Sequence, residues 1–165
     1  MFRSMRRHKQ QLPMSETEAI LQQNTSGVLS VIGDGGYPYG VPISYAYKNN
    51  KLYFHSALSG HKIDALTTND KASFTVIDSD LVIPHKFTTL YRSAIAFGRV
   101  RIITDKEEFM AAAHILADRY APESLVTMDR REQEIATGGP SMHMLVMDIE
   151  QLTGKECIEL TRLRD

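Results

Sequence analysis

The chain has 165 residues, of which 42% are hydrophobic and 24% are charged, and its formal net charge is −1. This composition is typical of one soluble globular domain, and it argues against a basic surface that binds nucleic acid or a membrane. No run of about 18 apolar residues could span a bilayer. The only cysteine is Cys157, which excludes a disulfide within the chain, so we expect a cytoplasmic protein.

The first residues of the chain are basic and lack the apolar core of an export signal. We predict that residues 1–14 form a flexible N-terminal arm and that residues 15–165 form a single domain. Ser15 and Glu18 make an S-x-x-E pattern just before an apolar run. This pattern predicts a capping box and a short helix over roughly residues 15–24.

Alternating segments separated by turn residues predict a series of strands. The glycine cluster GDGG at 33–36 and the KNNK stretch at 48–51 are typical of hairpin turns. The longest extended run covers residues 86–103, and Gly98 within it predicts a bulge or a bend. A helical pattern follows Asp105, and the segments SMHMLVMDI and KECIEL then return to strand character. The order favours a mainly β fold, an antiparallel barrel with peripheral helices.

Familiar catalytic and nucleotide-binding motifs are missing from the sequence. GDGG has no third glycine, no P-loop pattern occurs, and the serines lack a nucleophile elbow. His55 and His61 could approach each other across a turn, but no carboxylate or thiolate lies near them in sequence to complete a metal shell. We therefore predict no metal site.

The stretch LYFHSALSGHKIDAL begins as a strand and ends as a helix. A helix that starts near Gly60 or His61 leaves its first backbone N–H groups unpaired, and the positive end of its dipole favours an anion. Ser56 and Ser59 supply hydroxyls and Lys62 supplies a positive charge, which together suit a phosphate. An ordinary turn explains the same residues, with Ser59 capping the helix and Lys62 at the surface. The residues alone leave both interpretations open.

Four segments resemble, in order, the FMN-binding split barrels related to pyridoxamine 5'-phosphate oxidase. They are GVLSVIGDGGYPYGVPISYAY, KLYFHSALSGHKIDAL, FTTLYRSAIAFGRVRII and IEQLTGKE, at 27–47, 51–66, 87–103 and 149–156. The subset that is most similar is that of the nitroimidazole-resistance proteins. The resemblance implies a six-stranded antiparallel split β-barrel that dimerises, with FMN bound between the subunits.

The resemblance also implies roles for particular residues. It assigns the FMN phosphate to Ser56 and Lys62, with His55 and Ala57 beside them. His55 further matches a histidine near the flavin that is a candidate substrate contact, the only catalytic role it suggests. The strand along the isoalloxazine ring matches Val41, Pro42, Ile43 and Ser44, and a second binding strand matches Tyr91, Arg92 and Ser93. The resemblance does not say which subunit supplies each contact.

FMN needs a site for a dianion, apolar walls for its ring, and backbone or hydroxyl partners for its polar edge. The predicted anion site meets the first need. The Val41–Ile43 strand meets the others if Pro38 and Pro42 keep backbone groups free of strand pairing. Barrel closure alone is the alternative explanation of these prolines.

The function implied is that of a flavin-dependent oxidoreductase that reduces a small acceptor such as a nitro or quinone-like compound. The chain has no Trp and so lacks the Trp-containing basic end of authentic pyridoxamine phosphate oxidases, which argues against vitamin B6 oxidation. Two alternatives stay open. One is a non-catalytic flavin or haem carrier or sensor, in which His85 or His143 would ligate iron. The other is an interaction domain that binds no ligand.

Overall fold

The computed structural model describes residues 2–164, which form one antiparallel sheet with helices around it. The strands are β1 (Ser26–Ile32), β2 (Pro38–Ser44), β3 (Ala46–Lys48), β4 (Lys51–Ala57), β5 (Lys71–Ile83), β6 (Thr88–Ile102) and β7 (Met142–Glu156). The helices are α1 (Met14–Gln23), α2 (His61–Thr68), α3 (Lys106–Tyr120), α4 (Met128–Gly138) and α5 (Ile158–Arg164). No helix among residues 2–164 is long and apolar enough to cross a membrane.

The strands lie in the order β2-β1-β5-β6-β7-β4-β3, which confirms the predicted mainly β class with peripheral helices. The strand count differs from the six predicted. The stretch between the two predicted hairpin turns, residues 37–47, is divided at Tyr45 into two strands. Strand β2 pairs with β1, and strand β3 pairs with β4. Because β2 and β3 are the two edges of the sheet and a single residue joins them, the sheet must curl until its edges meet. The ladder of hydrogen bonds around this barrel is nevertheless not continuous.

The bend at Tyr45 is fixed by hydrogen bonds from both the backbone and the side chain of that residue. Its backbone N–H donates to Thr25 O at 3.2 Å and to the Tyr120 hydroxyl at 2.9 Å. Its own hydroxyl donates to Leu21 O at 2.8 Å, and burial raises the pKa of this phenol. The Tyr120 hydroxyl also approaches the carbonyls of Thr25 and Tyr45 at 2.5 and 2.7 Å. Helix α3 thus anchors the bend through one side chain.

Two hydrophobic clusters cover the two faces of the sheet. The larger one fills the barrel and includes Phe54, Phe74 and Leu145, which are fully buried, together with Leu66 of α2. The smaller one lies between the outer face and α3, where Met144 packs. Side chains alternate between these faces along each strand. Successive residues of β4 and β7 therefore point alternately into the barrel and towards α3.

Three predicted turns and bends are confirmed. The GDGG cluster joins β1 to β2 with Gly35 and Gly36 at positive φ, and Asn49 and Asn50 turn the next hairpin at φ 52° and 58°. The β6–β7 register shifts between Phe97 and Gly98, where a Cβ on Gly98 would lie 2.1 Å from a backbone oxygen. The bulge therefore needs a glycine because β7 passes too close for any side chain.

Other expectations need correction. Helix α1 begins after Pro13, which has no side-chain cap, so Ser15 lies inside the helix and the capping box does not form. The segment KECIEL, at 155–160, is strand only at its first two residues, since β7 ends at Glu156 and α5 begins at Ile158. Within the segment predicted as a flexible arm, Gln10 and Leu12 are buried, and Leu12 belongs to the barrel core. The last residues of that segment are therefore part of the folded domain.

The β5–β6 hairpin extends beyond the rest of the sheet. From Ser79 to Tyr91 its two strands pair with each other, while pairing with β1 stops at Thr75 and pairing with β7 starts at Arg92. We call residues 79–91 the arm, a name used from here on for this hairpin extension and not for the N-terminal segment 1–14. Three of the arm's apolar side chains are in solvent: Leu81 is 58% exposed, Val82 is 61% exposed, and Phe87 at the turn is 98% exposed. A two-stranded ribbon with apolar residues on both faces is marginally stable unless it is covered.

We expect Tyr120→Phe to lower the free energy of unfolding by about 1–3 kcal/mol, because the backbone groups at the Tyr45 bend lose their partner. Chemical denaturation monitored by circular dichroism would measure this change. The matched control is Tyr37→Phe, which removes the hydroxyl of a side chain that is 77% exposed. Equal stability of the two variants would contradict the role given to Tyr120.

Candidate functional site

The strand-to-helix junction places a lysine against a buried serine. Lys62 Nζ donates a hydrogen bond to Ser56 Oγ at 2.6 Å, between the first turn of α2 and the end of β4. Ser56 is only 4% exposed and Lys62 is half-buried. Because the serine oxygen accepts from Lys62, its own O–H remains available to donate to a further acceptor.

The start of α2 excludes the capped-turn interpretation. The N-cap residue is Gly60, at φ 128°, and no side chain caps the helix. Ser59 is exposed and does not cap. The N–H groups of Ile63 and Asp64 turn back to the Gly60 carbonyl. No hydrogen bond in the described part of the chain takes the N–H groups of His61 and Lys62, so both can meet an acceptor from outside.

The ammonium of Lys62 has no carboxylate partner. Within residues 2–164, no acidic oxygen lies within 4.0 Å of its nitrogen, although nine other basic residues form ion pairs. A cation at a helix N-terminus also opposes the dipole of that helix. A partly buried, unpaired charge in such a place costs stability, and an anion bound there would remove the cost.

Helix α2 is held against β2 by an aromatic stack. The rings of Tyr39 and His61 lie 4.1 Å apart with 16° between their planes, and His61 Nε2 accepts a hydrogen bond from Asp34 N–H at 3.3 Å. Gly33 leaves room for this contact, because a Cβ there would come within 3.0 Å of both His61 and Tyr39. The stack fixes Lys62 relative to β2.

The two faces of β4 separate the predicted phosphate residues. Ser56 shares the inner face with Phe54 and the barrel core, whereas His55 pairs with Met144 on the face towards α3. The side chains of His55 and Ala57 are exposed on that outer face. The structure thus brings Ser56 and Lys62 together but turns the imidazole of His55 away from them.

The free edge of β2 carries unpaired backbone groups. Gly33 N–H donates to Tyr37 O and Tyr45 N–H donates to Thr25 O, so the odd-numbered residues of β2 bond to β1. The even-numbered residues turn their backbone groups away from β1, and two of them, Pro38 and Pro42, have no N–H to offer. Strand pairing at this edge is therefore blocked, while Gly40 and Ser44 keep free donors.

A gap between β2 and β4 receives these backbone groups. The free edge of β2 continues into β3, which pairs with β4. The β3–β4 ladder ends at the pair Ala46 and Tyr53. Beyond it β2 and β4 remain in contact without pairing. Just before β4, the Asn50 carbonyl accepts a hydrogen bond from Ile149 N–H, so the even-numbered residues of β4 direct their backbone groups to β7. The backbone groups of the odd-numbered residues His55 and Ala57 therefore face the gap. We call the space between residues 40–44 and residues 55–57 the split gap.

The half-buried side chains of Val41 and Ile43 point inward beside the split gap, and Pro42 and Ser44 are exposed on the other face of β2. The first two sets of predicted residues, Val41–Ser44 and His55–Ala57, thus lie on the two strands that border the split gap. Lys62 contacts the second set through the Ser56 hydroxyl.

The third predicted set, Tyr91, Arg92 and Ser93, lies elsewhere in the chain. Ser93 pairs with Lys155 near the end of β7, whereas Ser56 pairs with His143 near its beginning. Along β6, Ser93 and Ile102 are separated by about nine residues, roughly 30 Å of extended strand. Tyr91 instead lines a cavity of about 510 Å³ beside the arm, with Arg7, Phe87 and Cys157 among its other walls.

The Arg92 guanidinium is already paired within the chain. It contacts Glu16, and its Nε lies 3.7 Å from an oxygen of the buried Glu156. Arg164 lies 3.2 Å from the other Glu156 oxygen and 3.8 Å from Glu16, which completes a group of two cations and two anions. The charge of Arg92 is therefore balanced by carboxylates.

Two features of this region were not predicted from the sequence. One is the Tyr39–His61 stack, which brings together residues 22 positions apart. The other is the position of His143, which the sequence suggested only as a possible haem ligand and which β7 places directly opposite Ser56. Both depend on strand register, and only the polar residue that interrupts the apolar segment MHMLVM hinted at the second. Within residues 2–164, no group of three His, Cys, Asp or Glu side chains is arranged to hold a metal ion.

Lys62→Met removes a positive charge from the N-terminal turn of α2, where the helix dipole disfavours a cation. We expect the ligand-free variant to unfold at a higher temperature than the wild type, with a gain of about 0.3–1 kcal/mol in stability. Thermal denaturation after exhaustive removal of small molecules measures it, with the exposed Lys48→Met as control. A loss of stability greater than that of the control would mean that Lys62 serves the fold itself.

Comparison with known proteins places the chain in a family. The family model described as pyridoxamine 5'-phosphate oxidase matches residues 13–156. A candidate 5-nitroimidazole antibiotic resistance protein from Bacteroides thetaiotaomicron is 26% identical, with a TM-score of 0.73 over 88% of this chain and 86% of that one. No curated protein matches.

Two further solved structures share the fold. A conserved hypothetical protein from Mycobacterium tuberculosis is 15% identical, with a TM-score of 0.79 over 95% of this chain and 92% of that one. An FAD-binding protein from Mesorhizobium loti is 23% identical, with a TM-score of 0.63 over 88% of this chain and 94% of that one. With its sheet, its split gap and a family match that covers most of its length, the chain belongs to the pyridoxamine 5'-phosphate oxidase family.

Proposed function

We propose that the protein binds FMN and works as a flavin-dependent reductase of a small acceptor, such as a nitro or quinone-like compound. The observation that carries the proposal is the unpaired ammonium of Lys62 on buried Ser56, at the mouth of the split gap. The similarity to a candidate nitroimidazole-resistance protein supports the choice of acceptor, and related solved structures described as FAD-binding support a flavin.

The residues present suit a flavin phosphate. Lys62 supplies a positive charge, Ser56 supplies a free O–H, and the N–H groups of His61 and Lys62 supply two further donors. A single lysine and a single helix end suit one terminal phosphate, as in FMN. FAD, which the Mesorhizobium loti protein binds by its description, should therefore be compared directly with FMN.

The split gap suits the flavin ring. The free backbone donors of Gly40 and Ser44, with carbonyls between them, would bind the polar edge of the ring, and Val41 and Ile43 would border its apolar part. The bound flavin would supply electron transfer, as a hydride or as single electrons. The protein would orient the ring and restrict access of water, and the exposed His55 would donate to an acceptor from the outer face of β4.

We further propose that the site is completed in a homodimer. One chain separates Tyr91–Ser93 from Ser56 by most of the length of β7, so both sets can meet one flavin only if they come from different subunits. Because Arg92 is paired with Glu16 and Glu156, its part in binding would fall to its backbone. The apolar arm supports the dimer, since Leu81, Val82 and Phe87 need a cover that the chain itself does not provide.

The protein as purified should be yellow and show the two-band absorbance of a flavin, and stripped protein should bind added FMN. We expect Lys62→Ala to weaken FMN binding by about 10- to 100-fold, because it removes a hydrogen bond between charged groups worth about 1.5–3 kcal/mol. Lys48→Ala, on the exposed hairpin, should leave the dissociation constant unchanged. Equal binding by both variants would remove Lys62 from the site, and a Soret band in place of the flavin spectrum would indicate haem.

Phe87→Asp should convert the dimer to a monomer and reduce flavin binding, because a charge at the turn of the arm would be buried against the partner. Sedimentation equilibrium with and without FMN measures both effects. Leu125→Asp is the matched control, since Leu125 is also exposed, at 81%, but lies in the loop after α3. A Phe87→Asp variant that remains dimeric would reject the arm as the interface.

Catalysis is tested by oxidation of NADH and NADPH in the presence of nitro and quinone acceptors. We expect turnover with at least one donor, and His55→Ala should reduce it while FMN stays bound. A flavin-loaded protein without turnover would be a carrier or a sensor instead.

A further inference from the structure

The inward-facing residues of β4 and β7 form a row of pairs that is apolar within the barrel and polar at its mouth. Leu52 pairs with Met147, Phe54 pairs with Leu145, and Ser56 pairs with His143. The first two pairs are fully buried in the core. The third is polar, and it lies where the row reaches the N-terminal turn of α2.

His143 lies on the same face as Ser56. Residues directly opposite each other on antiparallel strands have Cβ atoms about 4.5–5.5 Å apart and point to the same side of the sheet. The imidazole of His143 is half-buried, and within residues 2–164 it forms no hydrogen bond or ion pair. A half-buried imidazole without a protein partner can bond to water or to a bound ligand.

Charged groups near the Ser56–His143 pair are few. Lys62 is bound to Ser56, and His61 is stacked on Tyr39. No acidic side chain accepts a hydrogen bond from any of these residues in the described part of the chain, and the nearest approach of one is Asp34 Oδ1, 3.7 Å from His61 Nε2. The region therefore gathers N–H and O–H donors from three elements, β4, α2 and β7. Asp64, also in the first turn of α2, accepts no hydrogen bond from them within residues 2–164.

We propose that His143 is a third side chain of the phosphate site, which donates an imidazole N–H to the terminal phosphate that Ser56 and Lys62 also bind. This inference rests on the proposed flavin function and extends the site to β7. Ser56 and Lys62 approach from β4 and α2, and His143 would close the side that they leave open. A phosphate with donors on three sides is held in position as well as neutralised.

The test compares FMN with riboflavin, which has the same ring but no phosphate. We expect His143→Ala to raise the dissociation constant of FMN about 10-fold or more, in line with the loss of a hydrogen bond to a charged group. The same variant should change riboflavin binding by less than about twofold. His143→Asn, which keeps an N–H donor in a similar place, should recover part of the FMN affinity.

His114→Ala, on the outer helix α3, is the matched control and should leave both dissociation constants unchanged. If His143→Ala weakens FMN and riboflavin equally, or weakens neither, the residue does not contact the phosphate and the inference is wrong. If His143→Ala does not fold, the comparison is made with His143→Asn and His143→Gln, and FMN affinities equal to the wild type in both would overturn it.

The result also separates this inference from the proposed function. If the wild type binds FMN no more tightly than riboflavin, no phosphate site exists and both proposals fail. If Lys62→Ala loses the preference for FMN while His143→Ala keeps it, the flavin function stands and only the role of His143 is rejected.

Discussion

The proposed binding site depends on a positive charge at a strand-to-helix junction that has no carboxylate partner within residues 2–164. Lys62 is bound to a buried serine, has no carboxylate partner, and stands at the helix end where the dipole disfavours a cation. Such an arrangement lowers the stability of the empty protein, so the fold keeps it in place by other means. The Tyr39–His61 stack, the buried face of α2 and the glycine at Gly60 all fix the position of that helix. An anion bound there would offset that cost, and this is the physical basis of the proposed phosphate site.

The hydrogen-bond ladder of the barrel does not close completely beside this junction. One strand bends at Tyr45 and changes partners, from β1 to β4, and beyond the bend the two edges separate. Prolines at two of the outward positions of β2 keep that edge from pairing, so its remaining backbone groups stay available. The prolines were open to two interpretations from the sequence, and their register favours the one in which they leave backbone groups free. The arm leaves the apolar side chains of Leu81, Val82 and Phe87 exposed.

Local chemistry explains which features could be predicted from the sequence. The hairpin turns, the Gly98 bulge and the junction were predictable because each is marked by residues with special backbone or charge properties over a few positions. The division at Tyr45 was not, since it depends on Tyr120, 75 residues away. The final helix was mistaken for a strand because KECIEL is too short to show a helical period. Strand β7 ends where its pairing with β6 ends, at Arg92 and Glu156. The position of His143 opposite Ser56 was not predictable, because a shift of one residue in the β4–β7 register would turn its side chain outward.

The most direct measurement is a crystal structure of the protein grown with FMN. We expect a dimer in which the phosphorus atom lies within about 4 Å of Lys62 Nζ. The phosphate oxygens should accept hydrogen bonds from the Ser56 hydroxyl and from the backbone N–H groups in the first turn of α2. The polar edge of the ring would lie in the split gap. A structure in which FMN binds at another place, while Lys62 still rests on Ser56 with no anion beside it, would contradict the account.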